Sequence, residues 1–302
     1  MGLHDLANSY HPLISRLLKE SNGSSYFALF LEPNIDLITR DAKPEVIAQV
    51  QQFYILGILE RCHLASITSL ARTDRWLQSL MTQITQENAL GFSAALRGLL
   101  EATADAHDVM SVMPSTLRDY FSYIYLVFTN HNIFLETSIT FNELEERLIH
   151  YAYAQKWPKG SKPLPHHTNK TNADYISSFE KFGVSGAIEL YNELCQLTHP
   201  ASASVSCFLR ETPNSIEIDF SQDQKIITDI LLRYEQTIEK LMQLSVNPAL
   251  ISLCFLRRLL NEWPAPTDKE LSGIGKIQDW LIKIDNFIEN FKVGVVDYPS
   301  FK

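Results

Sequence analysis

The chain has 302 residues and a net charge of −9, with 45% hydrophobic and 20% charged residues. These values are ordinary for a globular protein that buries its own core. The negative charge argues against a general surface for nucleic acid or anionic lipid, but it is compatible with a local basic groove. There is no run of roughly eighteen apolar residues to predict a membrane span, and no basic segment followed by an apolar run to predict a signal peptide. We therefore expect a cytoplasmic protein whose four scattered cysteines stay reduced.

Apolar residues recur with helical spacing along most of the chain. The first such segment is interrupted at Pro12, and a long one opens at Pro44. We predict helices over residues 3–20, 44–80, 87–110, 117–128, 142–155, 173–182, 185–199, 224–244, 248–263 and 277–291. These lengths and the short breaks between them are typical of an all-α helical bundle.

In one region the types of side chain alternate with a period of two instead. Residues 201–206 alternate small apolar with hydroxyl side chains, and residues 215–220 alternate Ile, Phe and polar side chains. Pro213 and Asn214 between them form a turn signal, so we predict a small β-hairpin insertion near 203–221. We divide the chain into a main helical domain, 1–246, and a C-terminal helical extension, 247–302.

The segment 185–200 reads as a helix begun at a Ser185 cap and stopped by Pro200. Tyr191, Cys195 and His199 are spaced four apart and form one stripe on this helix. A closed zinc site needs four ligands, and the neighbouring sequence does not offer them, so we expect no metal. His199 in the last turn has two explanations. It is either a structural residue favoured by the helix dipole or a residue that carries chemistry.

A second helix carries a stripe of charges. Arg97, Glu101, Asp105 and Asp108 fall within roughly 80° of one another at helical spacing. The stripe is either a solvated face supported by the Arg97–Glu101 pair, or a half-buried arginine held by carboxylates under another helix.

Other signals for cofactor chemistry are incomplete. Glu60 and His63 have the Glu-x-x-His spacing of di-iron bundles, but the second motif that such a site requires is missing. The usual phosphate-loop, dinucleotide, hydrolase and zinc-protease motifs are also absent from the sequence. We therefore expect no cofactor.

Residues 156–172 contain three prolines and a glycine, which predict a long loop. Lys159, Lys162, His166 and His167 lie in it, and residues 156–170 include no acidic side chain. The loop is either a solvated connection or a mobile lid that contacts phosphate.

Two of these motifs together resemble the HEPN superfamily: the Arg97-x-x-x-Glu101 helix, and a later helix end that runs from Tyr191 through His199-Pro200 to Ser202. The resemblance spans about residues 45–245. It implies an all-helical domain, often dimeric, in a superfamily that includes metal-independent ribonucleases of toxin and phage-defence systems. Catalytic members carry an arginine four to six residues before the histidine, whereas residues 192–194 here are Asn, Glu and Leu. The arginine would then come from another helix, and we expect it to be Arg97.

Two hypotheses for the function follow. In the first, the protein is a HEPN-like RNA-processing or defence protein, in which His199 is the general acid/base or a phosphate contact, Arg97 stabilises phosphate charge and Glu101 orients Arg97. Its partners would be RNA or a nucleotide and a second copy of the chain, not a membrane. Tyr191, Asp105, Ser202 and the loop side chains would assist binding. In the second, the protein is a non-enzymatic interaction or scaffold protein, and the same polar residues are structural.

Overall fold

The computed structural model describes residues 3–26, 43–129, 139–200, 202–260, 262–271 and 277–292. These residues form helices and one two-stranded antiparallel hairpin, so the predicted all-α fold with a small β-hairpin is confirmed. The helices are α1 (Leu3–Glu20), α2 (Pro44–Thr85), α3 (Ala89–Met110), α4 (Met113–Asp119), α5 (Phe121–Thr129), α6 (Asn142–Tyr153), α7 (Asn172–Lys181), α8 (Ala187–Thr198), α9 (Ser202–Ser206), α10 (Gln222–Arg233), α11 (Glu235–Leu260) and α12 (Ile277–Lys292). The strands are β1 (Leu209–Glu211) and β2 (Ile216–Ile218). None of the described helices combines the length and apolar character that a membrane crossing requires.

The chain groups into two compact units. Unit 1 comprises Met1–Arg16, Thr68–Asp108 and Lys170–Val246, and unit 2 comprises Leu17–Ile67, Val109–Asn169 and Asn247–Lys302. The predicted division at residue 246 coincides with one of these boundaries, but a main domain with a C-terminal extension stays a prediction.

Unit 1 is organised around α3, α8 and the first part of α11. Phe92, Leu96 and Leu99 of α3 are fully buried, and they share one hydrophobic core with Leu194 of α8 and Leu241 of α11. These residues repeat at three- and four-residue intervals because that spacing places them on the inner face of each helix. The side chains on the remaining face of α3 are therefore left to make polar contacts.

A glycine brings two helices together beside that polar face. A Cβ atom built on Gly98 of α3 would lie 2.6 Å from the ring of Trp76, which α2 supplies. Such a distance is below any normal carbon–carbon contact, so the Trp76 ring would have to shift to accommodate any larger residue at position 98.

The hairpin differs in one strand from the prediction. Leu209 pairs with Ile218, Arg210 with Glu217, and Glu211 with Ile216. The alternating residues 202–206 form helix α9 instead of the first strand, so that part of the prediction is wrong. Four of these five residues are alanine or serine, which lack the β-branched or aromatic bulk that favours a strand, and only Val205 is β-branched, so the alternation is a weak strand signal.

Two predicted interruptions are absent, and one helix predicted as continuous is divided. Helix α1 continues through Pro12, and α11 continues through Pro248. A proline inside a helix removes one backbone hydrogen bond, although its fixed φ suits the helix. Packing of the neighbouring buried residues offsets that loss, and Val246 and Ala249 beside Pro248 are buried. Conversely, the predicted helix 117–128 is divided at Tyr120, whose ring packs edge-on against Phe141.

Helix α8 begins at a glycine and not at the predicted serine cap. Gly186 is the N-cap residue with φ of 81°, and no side chain caps the helix. Ser185 contributes its carbonyl oxygen, which accepts a 2.7 Å hydrogen bond from the Thr237 hydroxyl. The left-handed backbone at Gly186 is the conformation in which glycine is far less strained than other residues.

We expect the substitution Gly186→Ala to lower the free energy of unfolding by about 1–2 kcal/mol, because alanine is strained at this φ. Its Cβ would also lie 3.0 Å from the Thr237 hydroxyl oxygen. Gly183→Ala is the matched control, since Gly183 has φ of 100° with nothing within 4 Å of the added atom. Urea denaturation of both variants separates the two effects. Equal losses would show that the contact with Thr237 is unimportant.

Unit 2 contains a buried polar network in addition to its apolar core. Arg61 Nη1 donates to Glu145 Oε1 at 3.0 Å, and the Tyr54 hydroxyl donates to Glu145 Oε2 at 3.1 Å. The same hydroxyl accepts the backbone N–H of Phe141 at 2.8 Å. The network joins α2 to the start of α6. Near the C-terminal end, the Arg258 guanidinium of α11 binds both carboxylate oxygens of Asp285 on α12.

Candidate functional site

Arg97 and His199 lie within hydrogen-bond distance of each other in unit 1. The Nη1 atom of Arg97 is 3.3 Å from Nε2 of His199 and 3.1 Å from the Thr198 hydroxyl oxygen. Its Nε atom donates to Glu101 Oε1 at 2.9 Å. Arg97 of α3 therefore lies beside His199, and its role as the arginine of a catalytic site stays a prediction. We call Arg97, Glu101, Thr198, His199 and Tyr191 the Arg97 cluster.

The end of α8 explains how His199 reaches Arg97. The helix ends at Thr198, and His199 is its C-cap residue with an extended backbone, φ −91° and ψ 158°. The following proline favours this conformation, since a residue before proline is pushed out of the helical region. The prediction that His199 lies in the last helical turn is therefore wrong. Its backbone N–H still bonds Cys195 of α8, while its imidazole turns to α3.

The hydrogen bond with Arg97 determines which nitrogen of His199 carries the proton. A guanidinium group only donates, so Nε2 must be the acceptor. The neutral imidazole consequently carries its proton on Nδ1. Nδ1 forms no hydrogen bond with any residue that the structure describes, and His199 is exposed. His199 therefore presents a donor, Nδ1–H, towards solvent.

Arg97 is held firmly but retains unused donors. Its side chain is 23% exposed and that of Glu101 is 25% exposed, which corresponds to the half-buried alternative and not to a solvated charge face. Burial opposes the charged form, but the hydrogen bond and the charge of Glu101 outweigh it and raise the pKa of Arg97 above its ordinary value. Within the described parts of the chain, nothing accepts a hydrogen bond from Nη2. Two N–H groups of a fixed arginine are thus available to an oxygen ligand.

Tyr191 is the aromatic member of the Arg97 cluster and lies on α8. The Arg97 guanidinium carbon is 5.8 Å from the centre of the Tyr191 ring, within the range of a cation–π contact. Burial raises the pKa of the Tyr191 hydroxyl, and a hydrogen bond with Cys195 and the charge of Glu101 add to the effect, while Arg97 opposes it. Tyr191 therefore remains a neutral phenol, and its ring is a flat surface next to the arginine.

The other carboxylates of the α3 stripe are held by different cations. Arg72 Nη1 donates to Asp105 Oδ2 at 2.6 Å, and Lys170 Nζ donates to Asp108 Oδ2 at 3.0 Å. Asp105 therefore belongs to a separate ion pair, and a binding role for it stays a prediction. Ser202 is exposed at the first position of α9, and its predicted role is likewise untested.

Lys159, Lys162, His166 and His167 belong to unit 2, whereas the Arg97 cluster lies in unit 1. The predicted loop is confirmed, since residues 154–171 contain no helix and no strand beyond one isolated bridge. Backbone contacts hold part of it: the His167 carbonyl accepts hydrogen bonds from the indole of Trp157 and from the backbone of Gln155. The lysines are exposed, and a lid that contacts phosphate stays a prediction.

Sequence reasoning missed Thr198. Its hydroxyl donates to the Leu194 carbonyl at 2.8 Å, which leaves the oxygen lone pairs to accept from Arg97. A threonine in the last turn of a helix commonly makes the first of these bonds, so its position gave a weak signal. The second bond depends on the approach of α3.

The Glu-x-x-His pair is buried in unit 2. Glu60 is 3% exposed and His63 is fully buried. Nδ1 of His63 is 2.9 Å from the Tyr26 hydroxyl, and its ring stacks on Trp263 with centroids 4.6 Å apart. In the part of the chain that is described, no three His, Cys, Asp or Glu side chains are grouped so that they could hold a metal ion.

The chain was compared with protein-family models, with curated proteins and with solved structures, and it matches none of them. The HEPN resemblance therefore rests on the residues quoted above and stays a prediction.

Proposed function

We propose that the Arg97 cluster is the phosphate-contacting site of a HEPN-like RNA-processing protein of the phage-defence or toxin type. If it is an enzyme, we propose a metal-independent ribonuclease, which acts as a homodimer as the resemblance implies. The observation that supports this most directly is the contact between Arg97 and His199. It brings together two side chains that each keep a donor without a partner among the described residues, Nη2 of Arg97 and Nδ1–H of His199.

The chemistry of these groups fits a phosphodiester. A guanidinium presents N–H groups in a plane that matches the spacing of phosphate oxygens. In this proposal Arg97 binds the phosphate, and Glu101 and Thr198 hold its orientation so that little freedom is lost on binding. His199 donates a hydrogen bond from Nδ1 to a phosphate oxygen; in this tautomer it contacts the phosphate and is not a general acid, since a general acid must start as an imidazolium. The Tyr191 ring offers a surface on which a base can stack.

The test is cleavage of labelled single-stranded RNA by the full chain in the presence of EDTA. We expect Arg97→Ala and His199→Ala each to reduce the rate by at least roughly a hundredfold, the usual scale for a lost acid–base or charge-stabilising group. The melting temperature should change by only a few degrees. Arg210→Ala is the matched control, because it removes an exposed arginine of the same unit that pairs with Glu217 in the hairpin and lies outside the cluster, and it should leave cleavage unchanged. Cleavage that persists in both cluster variants would refute the proposal.

A second function remains supported by one observation. Arg97 and Glu101 are about three-quarters buried, and Arg97 joins α3 to the end of α8 through Thr198 and His199. The same contacts would serve a non-enzymatic interaction or scaffold protein by fixing the packing of two helices. In that case Arg97→Ala and Glu101→Ala would each lower the free energy of unfolding by about 1–3 kcal/mol, since a partner is left without its hydrogen bond. Stability like that of the wild type in both variants would contradict it.

A further inference from the structure

Unit 1 has a surface pocket outside the Arg97 cluster. It has a volume of about 360 Å³ and lies between α8, α9, β1 and α10. Leu197, Cys207 and Ile226 form its apolar part, and Leu197 and Cys207 are buried. This volume is at the lower end of the range for small-molecule sites, which combine apolar walls with a few polar groups. The pocket therefore suits a small ligand with an apolar portion.

Two opposite charges at the pocket are unpaired. Lys225 and Asp229 both line it, four residues apart on α10, and both are exposed. Neither forms a hydrogen bond or ion pair with any of the residues that the structure describes, although i,i+4 spacing would allow them to pair. By contrast, the carboxylate of Glu193, which also lines the pocket, is bound by Arg233 and by the Tyr234 hydroxyl at 2.7 and 2.9 Å.

This arrangement discriminates between classes of ligand. A simple anion would be attracted by Lys225 but repelled by Asp229, and a simple cation would meet the reverse. A molecule with an ammonium and a carboxylate group on the same carbon atom satisfies both. The exposed amide of Gln196 on α8 adds a donor and an acceptor at the same pocket.

We propose that this pocket binds a free α-amino acid with an apolar side chain, such as leucine or phenylalanine. Asp229 binds the ammonium group, Lys225 binds the carboxylate, and the side chain packs on Leu197 and Ile226. The proposal is independent of the function proposed above, because Arg97, Thr198 and His199 do not line the pocket.

Isothermal titration of the full chain with L-leucine and L-phenylalanine tests the proposal. We expect saturable binding of at least one of them. Two analogues of leucine, 3-methylbutylamine without the carboxylate and 4-methylpentanoate without the amine, should bind roughly tenfold or more weakly, because each lacks one charge-assisted contact.

Lys225→Gln and Asp229→Asn should each weaken amino-acid binding by a similar factor. Lys240→Gln is the matched control: it removes an exposed lysine of the same unit that does not line this pocket, and binding should be unchanged. Circular dichroism checks that each variant keeps its helical content. No binding of either amino acid at millimolar concentration, binding of either analogue as tight as that of leucine, or full binding by both pocket variants would overturn the proposal.

Discussion

We expect Arg61→Met to lower the free energy of unfolding by about 3 kcal/mol, the lower end of the range for breaking a buried ion pair. The Arg61 side chain is 8% exposed and that of Glu145 is 24% exposed, so water can replace the lost partner only in part. Methionine keeps most of the apolar volume of the arginine stem, so the loss reports the charge and not a cavity. Chemical denaturation followed by circular dichroism measures the change.

Two further variants make this prediction specific. Lys292→Met removes a cation of the same unit from an exposed pair with Glu289, and we expect a change below about 0.5 kcal/mol. The double variant Arg61→Met, Glu145→Gln should recover part of the stability, because the unpaired charge is gone and Tyr54 keeps an acceptor. A double variant that is as unstable as the sum of both losses would show that the network acts through packing alone.

The second large effect concerns the stability of unit 2 in acid. Burial lowers the pKa of His63 from 6.5 to about 4. Above pH 6.5 the residue is neutral in both the folded and the unfolded chain, and its full stabilisation is present. Between pH 6.5 and pH 4 the unfolded chain binds a proton that the folded chain excludes, so the free energy of unfolding falls by about 1.4 kcal/mol per pH unit. The total loss attributable to His63 is about 3 kcal/mol, complete below pH 4.

The measurement compares urea unfolding at pH 7 and pH 5 in the wild type and in His63→Phe. Phenylalanine keeps a flat ring against Trp263 but cannot be protonated. We expect the drop in stability between the two pH values to be smaller in the variant by about 2 kcal/mol. Tyr26→Phe is the control, since it removes the 2.9 Å hydrogen bond to His63 but leaves the titrating group in place. It should be less stable at pH 7 and should keep the dependence on pH. An unchanged drop in His63→Phe would assign the acid sensitivity to other groups.

The Arg97 cluster shows which contacts a local sequence pattern can predict. The i,i+4 spacing predicts the Arg97–Glu101 pair, because both residues belong to one helix. His199 beside Arg97 could be proposed only by joining two short motifs about a hundred residues apart. Its exact position depended on Pro200, which turns the residue before it out of the helix. Thr198 was not predicted, because no repeating pattern in the sequence indicates its contact with Arg97.

The charged stripe on α3 illustrates the opposite case. At helical spacing Arg97, Asp105 and Asp108 form one face, and nothing in the sequence distinguishes a site from a solvated surface. The structure separates them, since Arg72 binds Asp105 and Lys170 binds Asp108, while Arg97 turns to α8. Both cations come from other parts of the chain.

The sequence alone determined the helical fold, most helix positions and the small hairpin, because the spacing of apolar residues and the positions of proline and glycine act within a few residues of chain. It also supplied Arg97 and His199 as candidates. Only the tertiary structure decided that these two residues meet, that Nε2 of His199 accepts the bond, and that Lys225 and Asp229 are unpaired beside an apolar pocket. Those features depend on contacts between side chains, and the packing that sets them joins positions far apart in the chain.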